Sequence, residues 1–307
     1  MAQLVAQGFT QIPGIDYSAT FSPVVKSSTV RIVLSLATLN KWSLHQLDVK
    51  NAFLNENLTE NVFMEQLPGN DNSFVRKFIS RLHSEFAIKD LGALSYFLGL
   101  EVTYTSSGLF LSQTKYAHDV LTRAKLLDSK PVATPLATAE VFSSKGTPFS
   151  DHTLYRSLVG ALQYLTITRP DISYAVNQVS QFLQAPTFDH FQAVKRILRY
   201  VKGTIAYGLS FHHSPMPSIL GYSDADWARC LDTRCSTYGY SIFLGGNLVS
   251  WSAKKQSTIA RSSCESKYQA LANTAADVVW LLTFSVNCMC FLLIGLLFCV
   301  TTRVLSS

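Results

Sequence analysis

The sequence has no Cys-x-x-Cys pair and no His-rich run, although it holds six cysteines (Cys230, Cys235, Cys264, Cys288, Cys290 and Cys299). That spacing argues against a structural zinc site, and the set reads as reduced, intracellular thiols. No apolar signal peptide opens the chain, which points to the cytoplasm or nucleus. No internal repeat is present, which argues against a repeat array. Charge is thin as well: 26 Lys and Arg stand against 20 Asp and Glu, 15% of the 307 residues, for a net +6. An excess that small favours a polyanionic partner and equally serves plain solubility. Apolar side chains are abundant, at 48%. That fraction supplies a core and excludes global disorder, and the length allows two domains.

The most telling stretch is Gly221-Tyr222-Ser223-Asp224-Ala225-Asp226-Trp227. Ile219 to Tyr222 is an apolar, strand-like run that delivers two carboxylates two residues apart. On a strand, positions i and i+2 share a face. Two acids on one face repel unless they share a cation, and oxygen ligands suit Mg2+ or Mn2+. A second acidic site lies far upstream, in Leu47-Asp48-Val49-Lys50-Asn51-Ala52-Phe53. Separated acidic sites in a basic chain suggest nucleic-acid enzymology with two metal centres. Lys195, Arg196, Arg199 and Lys202 fall roughly on one face of a helix. Such a cluster is either a nucleic-acid contact or an ordinary solvated face.

Apolar spacing predicts helices over Ser27–Leu39, Phe74–Phe86, Tyr116–Leu127, Leu154–Leu165, Ile172–Leu183, Phe188–Val201 and Ser263–Trp280. Leu44–Phe53 reads as a strand entering a helix. Further strands are expected over Leu94–Tyr104, Leu109–Ser112, Ile219–Tyr222, Tyr238–Leu244 and Leu248–Trp251, with turns at Ser106-Ser107-Gly108 and Gly245-Gly246-Asn247. Lys89-Asp90-Leu91-Gly92 reads as a helix end. Pro131 to Pro148, rich in Pro, Ser and Thr, reads as a linker.

A series of motifs stands in fixed order along the chain. It opens with Leu4-Val5-Ala6-Gln7-Gly8-Phe9-Thr10-Gln11, Gly14-Ile15-Asp16-Tyr17, Thr20-Phe21-Ser22-Pro23-Val24 and His45-Gln46-Leu47-Asp48-Val49-Lys50-Asn51-Ala52-Phe53-Leu54. It continues with Met64-Glu65-Gln66, Tyr96-Phe97-Leu98-Gly99-Leu100-Glu101-Val102, Tyr155-Arg156-Ser157-Leu158-Val159-Gly160 and Thr168-Arg169-Pro170-Asp171-Ile172. Ser236-Thr237-Tyr238-Gly239-Tyr240 and Trp251-Ser252-Ala253-Lys254-Lys255-Gln256 close it. The series resembles the Pol polyprotein of copia-type retrotransposons, over parts of the reverse transcriptase and the RNase H, from Ala2 to about Trp280. The resemblance implies an α+β fold. Residues 1–130 would be a partial reverse-transcriptase palm and thumb, and 131–210 a linker and helical connection. Residues 215–280 would be a truncated RNase H-like sheet-plus-helix domain, and 281–307 a hydrophobic tail outside the family pattern. The implied partners are a template-primer and an RNA–DNA hybrid, and the implied cofactor is Mg2+ or Mn2+.

Carried over position by position, Asp48 would be the polymerase metal ligand, with Lys50 at the nucleotide end of that site. Asp224 would be the nuclease ligand on the first strand, with Asp226 and Glu265 as weaker members. Two departures bear on activity. The family's Tyr-x-Asp-Asp hairpin occurs nowhere: Met64-Glu65-Gln66-Leu67-Pro68 runs almost directly into Gly69-Asn70-Asp71-Asn72-Ser73, which looks like the segment after that hairpin. The centre of the palm is therefore expected to be missing after about residue 68, and neither Asp71 nor Asp90 replaces it. The family's Glu-Ala-Glu-Tyr here reads Glu265-Ser266-Lys267-Tyr268. Lys267 takes the ligand position and sets a cation where a cation must bind. The family's nuclease sheet has five strands with the first in the middle; with only three here the first becomes an edge. An inactive copy is the first reading. Residual nuclease activity through Asp224, Asp226 and Glu265 is a second, and non-catalytic binding through Lys195 to Lys202 a third.

From Trp280 to Thr302 there is no charged residue. Roughly 20 apolar residues span a bilayer, so residues 280–302 read as a membrane span, or else as sequence hydrophobic by accident.

Overall fold

A computed structural model describes residues 26–49, 80, 88–137, 142–214 and 218–293. Lys50, Asp71 and, apart from residue 80, the helix expected over Phe74–Phe86 lie outside the described residues.

The fold mixes helices with antiparallel sheets, an α+β arrangement. In chain order the elements are α1 (Ser27–Leu39), β1 (His45–Val49), β2 (Ile88–Ala93), β3 (Tyr96–Phe97), β4 (Leu100–Thr105), β5 (Gly108–Ser112) and α2 (Thr114–Arg123). There follow α3 (His152–Leu165), a 3-10 turn (Pro170–Ile172), α4 (Ser173–Ser180), α5 (Phe188–Gly203), β6 (Leu209–His212), β7 (Ile219–Asp226), β8 (Thr237–Leu244), β9 (Asn247–Lys255) and α6 (Ser263–Leu293). The sheets are β1-β2, β3-β4-β5-β6 and β7-β8-β9.

Two apolar clusters hold these elements. In the first, α2 to α5 bury Val120, Leu121, Tyr155, Leu162, Ile197 and Leu198. Its helices start on sequence signals. Asp151 caps α3 by accepting the Leu154 N–H at 2.8 Å, and Thr187 with His190 forms a capping box on α5. In the second cluster, Ile32 and Leu36 of α1 meet Val102, Leu111 and Phe211 of the four-stranded sheet, Ile242 and Val249 of the three-stranded sheet, and Leu281 of α6.

The Arg169-Pro170-Asp171 motif joins the first cluster. The Arg169 side chain is only 4% exposed and pairs with Asp171 at 2.7 Å. Arg169 also donates to the Thr204 carbonyl at 2.9 Å, and the Tyr200 hydroxyl donates to Asp171 at 2.9 Å. The motif thus ties the start of α4 to the end of α5.

The strand expected over Leu94–Tyr104 is instead a tight hairpin. Tyr96 pairs with Glu101 and Phe97 with Leu100, leaving Leu98 and Gly99 as a two-residue turn with φ of 49° and 69°. Positive φ at both positions is the primed turn whose twist matches a hairpin. A Cβ at Gly99 would also lie 2.8 Å from the Tyr164 hydroxyl oxygen, and that hydroxyl donates to the Leu98 carbonyl. Gly99→Ala is expected to cost roughly 1–3 kcal/mol, read as a lower urea midpoint with an unchanged denaturant slope. Gly245 and Gly246, with φ of 57° and 81°, make the corresponding turn between β8 and β9.

Three further differences have physical causes. Lys89-Asp90-Leu91-Gly92 is not a helix end but part of β2, which pairs with β1. Strand β6 was not anticipated, because four residues with alternating burial are too short a pattern to stand out. Helix α6 does not stop at Trp280 but runs on to Leu293. Of the span expected over 280–302, residues 294–302 lie outside the described residues. Among the described residues no helix is long and apolar enough to cross a membrane. The first part of that stretch packs on the protein's own core: Leu281 is fully buried, Trp280 and Phe284 lie against the second cluster, and Lys26 sits 4.9 Å over the Trp280 ring.

Candidate functional site

Strand β7 forms one edge of the β7-β8-β9 sheet. It is longer than its apolar run, so Asp224 and Asp226 lie within the strand, opposite Gly239 and Thr237. Pleating puts both acids on one face. They border a groove of about 500 Å3 whose lining includes Pro170, Ser173, Tyr174, Tyr222 and Trp251.

Each carboxylate faces a cation of this chain. The Lys267 ammonium, carried by α6, lies 3.2 Å from Asp224 Oδ1, with the two side chains 62% and 75% exposed. Asp226 Oδ2 lies 3.9 Å from Arg229 Nε. The Asp224 carboxyl is held below the ordinary carboxylate range, first by the Ala225 backbone N–H and then by Lys267. Exposed ion pairs contribute little to stability; the importance of Lys267 is positional, because it occupies the approach to Asp224.

Glu265 is engaged elsewhere. It accepts the Arg261 backbone N–H at 2.7 Å and a Gln269 amide hydrogen at 3.4 Å, closing the start of α6. Its carboxylate therefore serves the turn into the helix. Among the described residues no group of three or more His, Cys, Asp or Glu could hold a metal ion.

At the upstream acidic site, Asp48 lies on β1 with Lys89 opposite. Asp90 pairs with Leu47 rather than with Asp48, and accepts the Gly92 N–H at 2.7 Å.

The basic face of α5 is partly occupied by the chain itself. Arg196 donates to Thr134 Oγ1 at 2.8 Å, Arg199 to the Lys130 carbonyl at 2.6 Å and Lys202 to the Ser129 carbonyl at 2.5 Å. Lys195 sits 4.7 Å over the Phe191 ring. Three of the four cations thus pin the segment 129–134 to α5. Sequence reasoning did not single out Arg229 or Arg31. Arg229 pairs with Asp226 three residues before it, while Arg31 stands in an apolar helical run and only tertiary packing gives it partners.

Comparison with known proteins adds the family. The reverse transcriptase (RNA-dependent DNA polymerase) family matches residues 1–74 and, separately, 66–138. Over 91% of the chain there is 38% identity to the retrovirus-related Pol polyprotein from transposon RE1 of Arabidopsis thaliana, across 24% of that protein. The Pol polyprotein from transposon TNT 1-94 of Nicotiana tabacum is 33% identical over 92% of the chain and 28% of its own length. An uncharacterized mitochondrial protein of Arabidopsis thaliana is 50% identical over 70% of the chain and 89% of itself. The chain belongs to the copia-type, retrovirus-related Pol polyproteins of transposons, with a reverse-transcriptase-type domain. It spans about a quarter of the length of the transposon polyproteins it matches. No solved structure matches.

Proposed function

We propose that this polypeptide is a relic of the reverse transcriptase and RNase H portions of a Pol polyprotein, with neither catalytic centre completed. Residues 1–130 are a partial palm and thumb whose centre is missing after about residue 68. Residues 131–210 are the linker and helical connection, and 215–280 an RNase H-like remnant. The family acts on template-primer nucleic acid with divalent ions such as Mg2+, and two-metal phosphoryl chemistry needs several carboxylates around its ions.

The observation that carries this reading is the Lys267 ammonium 3.2 Å from Asp224. A cation fixed beside the first carboxylate opposes a divalent ion there, so the residues present do not fit the metal. The engagement of Glu265 with Arg261 and Gln269 argues in the same direction and against residual nuclease activity. For the palm, two observations support a gap. The family match is split into two pieces that overlap at residues 66–74. The alignment to the RE1 polyprotein runs over 353 positions, more than the 307 residues of this chain, so part of the relative has no counterpart here.

The test is activity of the full-length chain on a primed RNA template and on an RNA–DNA hybrid, in Mg2+ or Mn2+. Expected are no primer extension and no hybrid cleavage above an Asp224→Asn control. Cleavage lost with Asp224→Asn, or extension lost with Asp48→Asn, contradicts the proposal.

A further inference from the structure

Arg31, on the second turn of α1, is only 4% exposed. No carboxylate among the described residues pairs with it. Its guanidinium carbon stacks 3.7 Å from the centre of the Trp251 ring. Nε donates to the Val249 carbonyl at 2.8 Å and Nη1 to the Ile167 carbonyl at 2.9 Å. A guanidinium carries five N–H donors, so these two carbonyls leave donors for a further acceptor. Burial lowers its pKa to about 9, with Tyr240 acting in the opposite sense; the group is still a cation at neutral pH. A buried cation without an anion is costly, because desolvation is not offset by a nearby opposite charge.

The space beside Arg31 is polar. A pocket of about 190 Å3 is lined by Arg31 together with Ser27, Gln163, Asn177, Ser180 and Ser252, among others, and by no acidic side chain. Helix α1 begins at Ser27 with no capping side chain and no acidic residue in its first turn, so its positive end adds to the same field. The volume exceeds that of a few waters, each taking about 30 Å3 in the liquid. Ser173, Trp251, Ser252 and Ala253 line both this pocket and the groove beside Asp224 and Asp226.

We propose that this pocket binds a phosphate-type oxyanion, with Arg31 as its counter-charge and the surrounding hydroxyl and amide side chains as hydrogen-bond donors. A backbone phosphate of a nucleic acid lying in the adjoining groove and free inorganic phosphate present the same chemistry. The site is independent of metal binding at Asp224 and does not rest on either catalytic centre.

The test uses the full-length chain, with sodium phosphate compared against sodium chloride at equal ionic strength. Phosphate is expected to raise the thermal midpoint saturably, as a ligand of the folded state does. Calorimetric affinity for phosphate should fall at least about tenfold in Arg31→Gln. Asn177→Leu keeps the guanidinium and fills the pocket, which guards against a folding failure of the first variant; the same loss is expected with a normal phosphate-free midpoint. Phosphate that displaces a labelled oligonucleotide assigns the pocket to a backbone phosphate. Phosphate that binds while the oligonucleotide stays bound assigns it to the free ion. A midpoint that phosphate moves no more than chloride does, or equal phosphate affinity in wild type and Asn177→Leu, overturns the proposal.

Discussion

Replacing Lys267 with Glu should create divalent-ion affinity where the wild-type chain opposes it. The substitution removes the ammonium 3.2 Å from Asp224 and puts a carboxylate in its place. Two opposite charges 4 Å apart interact by about 1 kcal/mol in water and more near a protein surface. Reversing the sign of one side chain beside a doubly charged ion is therefore expected to tighten Mn2+ binding by roughly ten- to a hundredfold. The exposure of both side chains, 62% and 75%, keeps the figure at that modest level and makes it fall with added salt. The Asp224 carboxyl should also titrate at higher pH in Lys267→Glu, since one of the influences holding it low is lost and a like charge is added. Lys267→Met separates the effects: it removes repulsion without adding a ligand, and its gain should be the smaller. Titration of Mn2+ followed by electron paramagnetic resonance reads all three proteins.

Arg169→Ala should be the most destabilising of these substitutions. The guanidinium is 4% exposed and pairs with Asp171, while holding both the carbonyl and the hydroxyl of Thr204. Removing one member of such a pair leaves the other charge without compensation, which typically costs about 3–5 kcal/mol. Burial acts to raise the Asp171 carboxyl, but its hydrogen bond to Arg169, the charge of Arg169 and the Tyr200 hydroxyl outweigh it, so the net shift is downward. A depressed carboxylate contributes stability in full above its unfolded pKa, near 3.9, and loses it as pH falls through the lower folded value. Wild type should therefore lose this contribution progressively as pH falls below about 4. In Arg169→Ala the main influences holding the Asp171 carboxyl low are lost, so protonation costs the variant less and its stability deficit against wild type should narrow as pH falls below about 4. Urea denaturation across a pH series measures both effects. A change below 1 kcal/mol, with a deficit that does not narrow in acid, would count against this account of the motif.

The pairing of Lys267 with Asp224 was partly legible in the sequence. Lys267 stood out because a family pattern calls for an acid there, and the fold sets its ammonium against Asp224. The helix Ser27–Leu39 and the double-glycine turn at Gly245 and Gly246 were also readable, since helical apolar spacing and consecutive glycines are local signals. The turn at Leu98 and Gly99 was not, because a leucine at positive φ is forced by the pairing of Tyr96 with Glu101 and by Tyr164, both tertiary facts. Asp90 looked like a helix-end residue until β1 supplied a partner strand. The basic run on α5 suggested a nucleic-acid face; the linker hydrogen bonds of Arg196, Arg199 and Lys202 give those side chains a partner within the chain. Charge spacing marks a face but not what covers it.

The most direct measurement is a Mn2+ titration of the unmodified full-length chain beside its Asp224→Asn variant. If Lys267 holds the position a metal ion would need, the two proteins should bind Mn2+ alike and weakly, with no stoichiometric site. A single site of micromolar affinity in the wild type that vanishes in Asp224→Asn would contradict the account.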